Sequence, residues 1–376
     1  MRFLFRWQHR APGSQLHGEA GLREVIHQLA GFEAPASAWE PSLLKERLVH
    51  YKPEWLDNLC LRGEVAWGRL TPPESKATLL PVVGNEQKAG EFVSDAGAAV
   101  QAFRPITPTS LAPISFLGRQ DVSWVLGMAQ PGKPAGPLGV RLTLSSVAQA
   151  VFDCLDRRGA CFFADLTRRT GHLAAEVEQA LWELVAAGLV TADGFDPMRA
   201  LLDPRRRRAE GRDRARRPRH SVGRWDVFQA DPVVHVVHDE ETPVRVHPHE
   251  QWARQLAHRY GVVFRDLLKR ESLPVTWREL LVQYRKLEWR GDLRGGRFVN
   301  GFTGEQFALP EAVESLRAVR RDVQAGAQEI RLSAADPLNL VGILLPGERI
   351  SAHTSKPIFF LNGVSVADRV SVVGLV

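Results

Sequence analysis

The sequence is poor in cysteine and contains no long apolar run. Its three cysteines, Cys60, Cys154 and Cys161, include no CxxC pair and lie in apolar surroundings. This pattern indicates buried, reduced thiols rather than disulfides or a zinc site. No apolar run approaches the roughly 18 residues that a membrane span needs, and the N-terminus lacks the apolar stretch of a secretory signal. These absences predict a cytoplasmic protein without a membrane partner.

Motifs for nucleotide hydrolysis and for common hydrolytic chemistry are also missing. Residues 127–133 satisfy the first seven positions of a phosphate-binding loop, but Pro134 replaces the Ser or Thr that would bind magnesium. The sequence contains no DEAD or DEAH box and no GxSxG or HExxH motif. We therefore predict no ATPase activity and no cofactor, and we assign no catalytic residue.

Histidines cluster in one short span together with an acid, His235, His238, His247, His249 and Glu250. A spacing of three places the first two on opposite faces of a strand, which is unsuitable for a shared metal ion. The acids between the histidine pairs are typical of a solvated turn. The sequence predicts no metal site here.

The basic character of the chain is concentrated in one segment. Residues 205–219 hold nine arginines and two acids, which gives this segment a net charge of +7. The whole chain of 376 residues has a net charge of +6, so the residues outside the segment sum to −1. The segment contains Pro and Gly and lacks apolar periodicity, which is typical of a disordered loop. Its arginines, beginning with Arg205, Arg206, Arg207 and Arg208, predict sequence-independent contact with phosphates. The alternative is a spacer held open by self-repulsion.

Three helices followed by a short strand recur along the chain, which is the pattern of a winged helix. In the first copy we expect helices at residues 22–29, 43–49 and 55–61 and a strand at residues 64–67. In the middle copy we expect helices at residues 144–158, 163–169 and 173–186 and a strand at residues 189–191. In the third copy we expect helices at residues 249–260, 262–270 and 276–290, a wing at residues 291–309 and a further helix at residues 311–321. Thr276 and Glu279 form a capping box at the start of the helix at 276–290, whose inner face includes Leu280, Tyr284 and Leu287.

The predicted fold class is α+β, with tandem winged-helix domains and a small C-terminal β-barrel-like unit. The predicted domains are a winged helix with a Pro/Gly-rich connector at residues 1–142, a winged helix at 143–203, a basic disordered loop at 204–220, strands joining the β unit at 221–245, a winged helix at 246–325 and the barrel-like unit at 326–376.

The exposed faces of the three recognition helices differ in charge. The middle helix is expected to expose Glu176, Glu178, Gln179 and Glu183, and the first to expose Glu54 and Asp57. Acidic faces disfavour insertion into a nucleic-acid groove, so we expect structural roles for these two domains.

The third domain offers basic residues on both its recognition helix and its wing, namely Arg278, Arg285, Lys286, Arg290, Arg294 and Arg297. We predict that these side chains contact phosphates, the alternative being a basic face that is only solvated. Two of the 10 tryptophans, Trp289 and Trp225, lie beside arginines and are candidates for stacking on bases.

Several long blocks of the chain resemble the Large helicase-related (Lhr) family of bacterial ATP-dependent DNA helicases. The blocks occur in order at residues 3–9, 31–40, 55–65, 291–299, 304–310 and 336–340. The resemblance implies a region downstream of two RecA-like motor domains, so ATP and magnesium would belong to those absent domains. It also implies tandem winged helices that end in a β-barrel, similar to AlkZ-type DNA glycosylases.

The resemblance leaves three functions open. The first is a DNA-binding module of a repair helicase, which would bind single-stranded or duplex DNA and an upstream motor polypeptide. The second is a uracil-directed DNA glycosylase module, because some family members are linked to uracil removal. The third is a protein-interaction scaffold of a repair complex, which the acidic faces of the first two domains favour.

Overall fold

The computed structural model of the chain describes residues 1–71, 112–129, 144–202, 223–229, 247–321 and 328–366. The α-helices are α1 Arg2–Trp7, α2 Gly18–Leu29, α3 Pro53–Leu61, α4 Val122–Ala129, α5 Ser146–Arg158, α6 Phe163–Thr170, α7 Ala174–Ala186, α8 Asp196–Leu202, α9 Pro248–Tyr260, α10 Trp277–Trp289 and α11 Pro310–Arg321, besides a single turn at Ala36–Ala38. None of the helices described here is long and apolar enough to cross a membrane.

Short strands accompany these helices throughout. They are β1 Leu16–His17, β2 Ala34–Pro35, β3 Leu48–Val49, β4 Val65–Gly68, β5 Pro113–Gly118, β6 Cys161–Phe162, β7 Val190–Ala192, β8 Arg224–Val227, β9 Val262–Phe264, β10 Arg294–Gly296, β11 Gln306–Ala308, β12 Glu329–Leu332, β13 Ile358–Leu361 and β14 Val364–Val366. The mixture of helices and sheets confirms the predicted α+β class.

The same winged-helix topology occurs three times in the described residues. Each copy runs helix, strand, helix, helix, strand, strand, and its last strand lies in the centre of a three-stranded sheet. The sheet orders are β2-β5-β4, β6-β8-β7 and β9-β11-β10. In the first copy the second helix is irregular, a π-helical segment Trp39–Leu44 followed by a 3-10 turn Lys45–Arg47.

Two strands complete the winged helices across long insertions. β5 pairs with β4 in the first domain, so residues 113–118, which lie within the predicted Pro/Gly-rich connector region, belong to that domain's sheet. β8 pairs with β6 and β7, which corrects, for residues 224–227, the prediction that strands at residues 221–245 join the C-terminal β unit. Backbone pairing between distant segments leaves no local signal in sequence. Residues 221–222 and 230–245 of that predicted segment lie outside the described residues.

One local prediction in the third domain was also wrong, and one short helix was missed. Residues 262–270 form strand β9 and a 3-10 turn Arg265–Arg270 rather than a helix, because the buried Val262 and Val263 supply a strand that pairs with β11. Helix α1 was not predicted, since six residues are too few for a periodic signal. Its Phe5 packs edge-on against Phe360, with the ring centroids 5.1 Å apart.

The C-terminal unit is a three-stranded antiparallel sheet in the order β12-β13-β14. A turn at Asn362 and Gly363 joins β13 to β14, and both residues have positive φ, 52° and 83°. Asn-Gly suits such a turn because both central positions require left-handed backbone. The described strands form an open sheet and do not close into the predicted barrel-like unit.

The four units share apolar cores. One core joins the first and middle domains and contains Trp39, Phe116 and Trp225, while another joins the first and third domains. All three cysteines are free, as expected of reduced thiols, and Cys60 and Cys161 are buried. Burial raises the pKa of the Cys60 thiol to about 12.

Buried polar contacts also cross between units. The guanidinium of Arg47, in the first domain, donates to both carboxylate oxygens of Asp336 in the C-terminal unit, at 2.8 and 2.9 Å. Both side chains are fully buried. The indole of Trp67 donates to the carbonyl of Gly194 in the middle domain at 3.0 Å. These contacts fix the units relative to one another.

Candidate nucleic-acid interface

The recognition helix of the third domain, α10, begins with the capping box that the sequence predicts. The backbone amide of Thr276 donates to the carboxylate of Glu279 at 2.8 Å, and the amide of Glu279 donates to the Thr276 hydroxyl oxygen at 3.4 Å. Hydrogen bonds from Thr276 lower the pKa of Glu279. The capping box satisfies two donors that would otherwise be unpaired at the helix start, so the helix begins at a defined residue.

Helix α10 packs against the core of its domain through an apolar face. Leu280, Tyr284 and Leu287 are buried, as the periodicity predicts. The Tyr284 ring lies between Phe307 of β11 and Trp277, with centroid distances of 5.2 and 5.6 Å. This aromatic column fixes the rotation of the helix, and the opposite face therefore points to solvent.

The wing is built against the C-terminal end of α10. The buried Gln306 organises it: its side-chain oxygen accepts from the amides of Phe298 and Val299, and its nitrogen donates to the Val299 carbonyl, all at 2.8 Å. Glu288 accepts from the Gly295 amide at 3.1 Å. A Cβ at Gly295 would lie 2.1 Å from the Glu288 carboxylate, so a larger residue at this position would displace the end of the Glu288 side chain.

Two of the predicted phosphate-binding arginines are engaged in ion pairs. Arg285 donates to Glu305 at 3.0 Å, and this hydrogen bond raises the pKa of Arg285 and lowers that of Glu305. Arg290 donates to Glu250 at 2.6 Å, and Glu250 also accepts from Arg254. In each pair a glutamate neutralises an arginine that, from the sequence alone, would be expected to be unpaired. Arg285 and Arg290 are therefore weaker candidates for contact with phosphates than the sequence predicts.

The other four predicted cations of this domain have no such partner. Arg278, Lys286, Arg294 and Arg297 are exposed, and within the described ranges their side chains make no ion pair or hydrogen bond. Two lie on the recognition helix and two on the wing. A cation with no protein partner is able to neutralise a phosphate without first breaking an ion pair.

The two candidate tryptophans have opposite environments. Trp289, at the last position of α10, is 90% exposed. Trp225 is 3% exposed and packs edge-on against Trp182, with the centroids 5.9 Å apart. The prediction that Trp225 stacks on bases is therefore wrong, because this side chain belongs to the core that β8 closes.

The recognition helices of the first two domains have no basic face among the residues described for them. In α7, Glu176 and Gln179 are exposed and Glu178 is half-buried, but Glu183 is buried and accepts from the amide and hydroxyl of Ser145 at 2.8 and 2.7 Å. Predicting Glu183 as exposed was wrong, because its partner is 38 residues away.

Two more residues of these domains depart from the predicted faces. Leu173, predicted to point inward, is the N-cap of α7 and is 71% exposed. In the first domain Glu54 is exposed, but Asp57 accepts from Arg199 at 2.7 Å. Asp57 is therefore a contact between domains rather than a free surface charge.

A further basic patch was missed by the sequence reasoning. Arg317, Arg320 and Arg321 are exposed on α11 and line a shallow cavity of about 410 Å³ together with Glu314. Their spacing of three and four places them on one helix face, which was visible in the sequence. The patch extends the basic character of the third domain beyond α10 and the wing.

Some predicted features cannot be placed. Arg205, Arg206, Arg207 and Arg208 lie outside the described residues. His235 and His238 also lie outside the described residues.

His247 accepts a hydrogen bond from the amide of His249 at 3.3 Å and so caps α9. The described residues contain no group of three or more metal-ligating side chains. Gly127 lies within α4, while most of its phosphate-loop-like motif is not described.

Comparison with known proteins identifies the winged helices. Two family models match, both described as the winged-helix domain of the Large helicase-related protein, over residues 1–81 and 243–328. These ranges include the recognition helices of the first and third domains. The chain is also similar to a Mycolicibacterium smegmatis protein named Lhr helicase/probable uracil glycosylase, with 30% identity over 92% of this chain and 21% of that protein.

The first and third winged helices are therefore of the Lhr type. A second relative, the Escherichia coli Lhr helicase/uracil glycosylase, is 28% identical over 88% of this chain and 20% of its own length. The chain therefore spans about a fifth of the length of the curated Lhr relatives it matches. The Lhr winged-helix match at residues 243–328 contains the four unpaired cations described above.

Proposed function

We propose that this chain binds DNA through its third winged helix, as a module of an Lhr-type ATP-dependent helicase that acts in DNA repair. The observation that carries the proposal is the set of four unpaired cations on the recognition helix and wing, in a domain of Lhr type. A module of this kind acts in the cytoplasm, where bacterial DNA lies. ATP hydrolysis belongs to motor domains elsewhere in the helicase or on a partner polypeptide.

The geometry supports contact with phosphates from two directions. A winged helix places its recognition helix in or near a groove while its wing reaches the adjacent backbone. Arg278 and Lys286 lie on the helix, and Arg294 and Arg297 lie on the wing. Phosphate contacts of this kind fix orientation and supply affinity without reading sequence.

The proposal predicts strongly salt-dependent DNA binding without ATPase activity. Fluorescence anisotropy with labelled single-stranded and duplex oligonucleotides should show a steep linear fall of log affinity with log salt, about 0.9 per neutralised phosphate on duplex DNA. Phosphate release from ATP should stay at background with and without DNA. No binding of either oligonucleotide at about 50 mM salt, where electrostatic affinity is high, would contradict the proposal. Protein partners retained after nuclease treatment would then favour the scaffold function.

A second candidate function is uracil-directed DNA glycosylase activity. The printed names of both relatives include a uracil glycosylase. A cavity of about 310 Å³ lies between the third domain and the C-terminal unit, and its lining includes Arg270, Asn339 and His353. Glycosylases extrude the target base into such a pocket and hold it by polar contacts.

The second candidate predicts chemistry that binding alone does not produce. A strand containing one uracil should lose free uracil by hydrolysis and acquire a break on alkali treatment, whereas the same strand with thymine should stay intact. Uracil release would be checked by chromatography. Tight DNA binding with an unbroken uracil strand would reject the glycosylase and leave the binding function in place.

A further inference from the structure

The environment of Trp289 differs from that of every other tryptophan in the chain. All ten tryptophans lie in the described residues, and nine of them are buried or half-buried. Trp289 is 90% exposed, and no ring contact or hydrogen bond of its side chain occurs within the described ranges. A large apolar side chain held in water contributes little to the fold. Its exposure therefore leaves the indole available to a ligand.

The helix around Trp289 is rigid and presents the indole to solvent. Tyr284 and Leu287 hold the same turn of α10 in the core, and Glu288 ties that turn to the wing through Gly295. One turn earlier on the exposed side lies Lys286, and two turns earlier lies Val282, which is 51% exposed. Because these contacts hold the helix backbone, a ligand that covers the indole has to order only the two side-chain torsions of Trp289.

The charges around the indole select the class of ligand. Arg278, Lys286, Arg294 and Arg297 are unpaired. Of the acids nearby, Glu305 is neutralised by Arg285, whereas Glu279 and Glu288 keep their charge while accepting hydrogen bonds from neutral groups, so the unpaired cations outnumber these acids by four to two. A ligand that complements this surface combines negative charge with an apolar planar face. Single-stranded nucleic acid has both, because its bases are free to stack on an aromatic side chain.

We propose that Trp289 is a stacking platform for an unpaired base, so that the third domain engages single-stranded DNA or the single-stranded side of a junction. In a duplex each base is covered by its neighbours on both faces, and the indole has nothing to stack on. This inference rests on the proposed DNA binding and specifies which form of DNA the surface recognises. The cations hold the backbone while the indole covers the base.

The test compares Trp289→Ala with Trp289→Phe on three oligonucleotides of equal length, which are single-stranded, duplex, and single-stranded with abasic sites. Trp289→Ala should weaken binding of the single strand roughly 5- to 150-fold, the range for loss of one base–aromatic stack. Duplex binding and the salt slope should stay unchanged, because no charge is removed. Trp289→Phe should keep most of the affinity. Leu173→Ala, at the exposed N-terminal end of α7, is a matched control and should have no effect.

The abasic strand separates stacking from other causes. Wild type should bind it more weakly than the normal strand, and Trp289→Ala should cause no further loss on it. Equal losses of Trp289→Ala on the normal and abasic strands would overturn the stacking role, as would unchanged binding of the normal strand. If wild type binds the single strand and Trp289→Ala does not change that binding, the proposed function stands without this inference. If wild type binds no DNA, both fail.

Discussion

Replacing Asp336 with alanine is expected to lower the free energy of unfolding by about 3–5 kcal/mol, the usual cost of removing one partner of a buried ion pair. Asp336 is fully buried and accepts from Arg47 through both carboxylate oxygens, and its Oδ1 also accepts from the Leu338 amide at 3.0 Å. Without the carboxylate, the Arg47 guanidinium is left charged and buried. Urea unfolding followed by tryptophan fluorescence measures the loss.

Two controls isolate the ion pair from the loss of side-chain volume. Asp153→Ala removes an exposed carboxylate 3.6 Å from Arg157 and should cost at most about 0.5 kcal/mol. Combining Asp336→Ala with Arg47→Met should cost less than the sum of the two single changes, because no charge is then stranded. Additive costs would show that the pair is not coupled and that packing alone explains the effect.

Acid should weaken the same contact. Burial alone would raise the pKa of Asp336, but the charge and hydrogen bonds of Arg47, with Arg10 nearby, outweigh it and hold the pKa below its usual range. A carboxylate with a depressed folded-state pKa stabilises fully above its unfolded pKa, about 3.9, and loses that contribution as pH falls through the folded value. The stability difference between wild type and Asp336→Asn should therefore shrink below about pH 4.

Local features of the third domain could be predicted from the sequence. The capping box at Thr276, the inward positions Leu280 and Leu287 and the helix ending near residue 290 depend on neighbours within a few turns, and the structure places them as expected. The same holds for the helix that ends at Gly159, where φ is +72°. Periodicity and capping are properties of adjacent residues, so a single sequence contains them.

Partners far apart in the chain could not be predicted. Arg285 pairs with Glu305 across the wing, Glu183 with Ser145, and Arg47 with Asp336 across 289 positions. In each case a charged side chain that the sequence alone would leave unpaired has a partner within the protein. The sequence therefore identified the correct domain for the basic surface but overstated how many of its arginines are free. Trp289 and Trp225 were both chosen because arginines lie beside them, and only Trp289 is exposed, so this local signal did not separate a surface side chain from a core one.

Removing three unpaired cations is expected to reduce the logarithmic salt slope of duplex DNA binding by about 2.7, at about 0.9 for each lost phosphate contact. The variant combines Lys286→Ala, Arg294→Ala and Arg297→Ala. All three side chains are exposed and none contributes to the apolar core, so the fold should survive, as a circular dichroism melt would verify. Anisotropy titrations at several salt concentrations give the slope.

A neutral pair offers the matched control for this variant. Changing Arg285→Ala together with Glu305→Ala removes an exposed ion pair from the same surface without altering its net charge. Because the guanidinium is already neutralised by Glu305, the slope should stay within measurement error of wild type. A slope that falls as far as it does for a free cation would mean that Arg285 leaves Glu305 to bind a phosphate. Such a result would return Arg285 to the interface and show that the ion pair opens when DNA arrives.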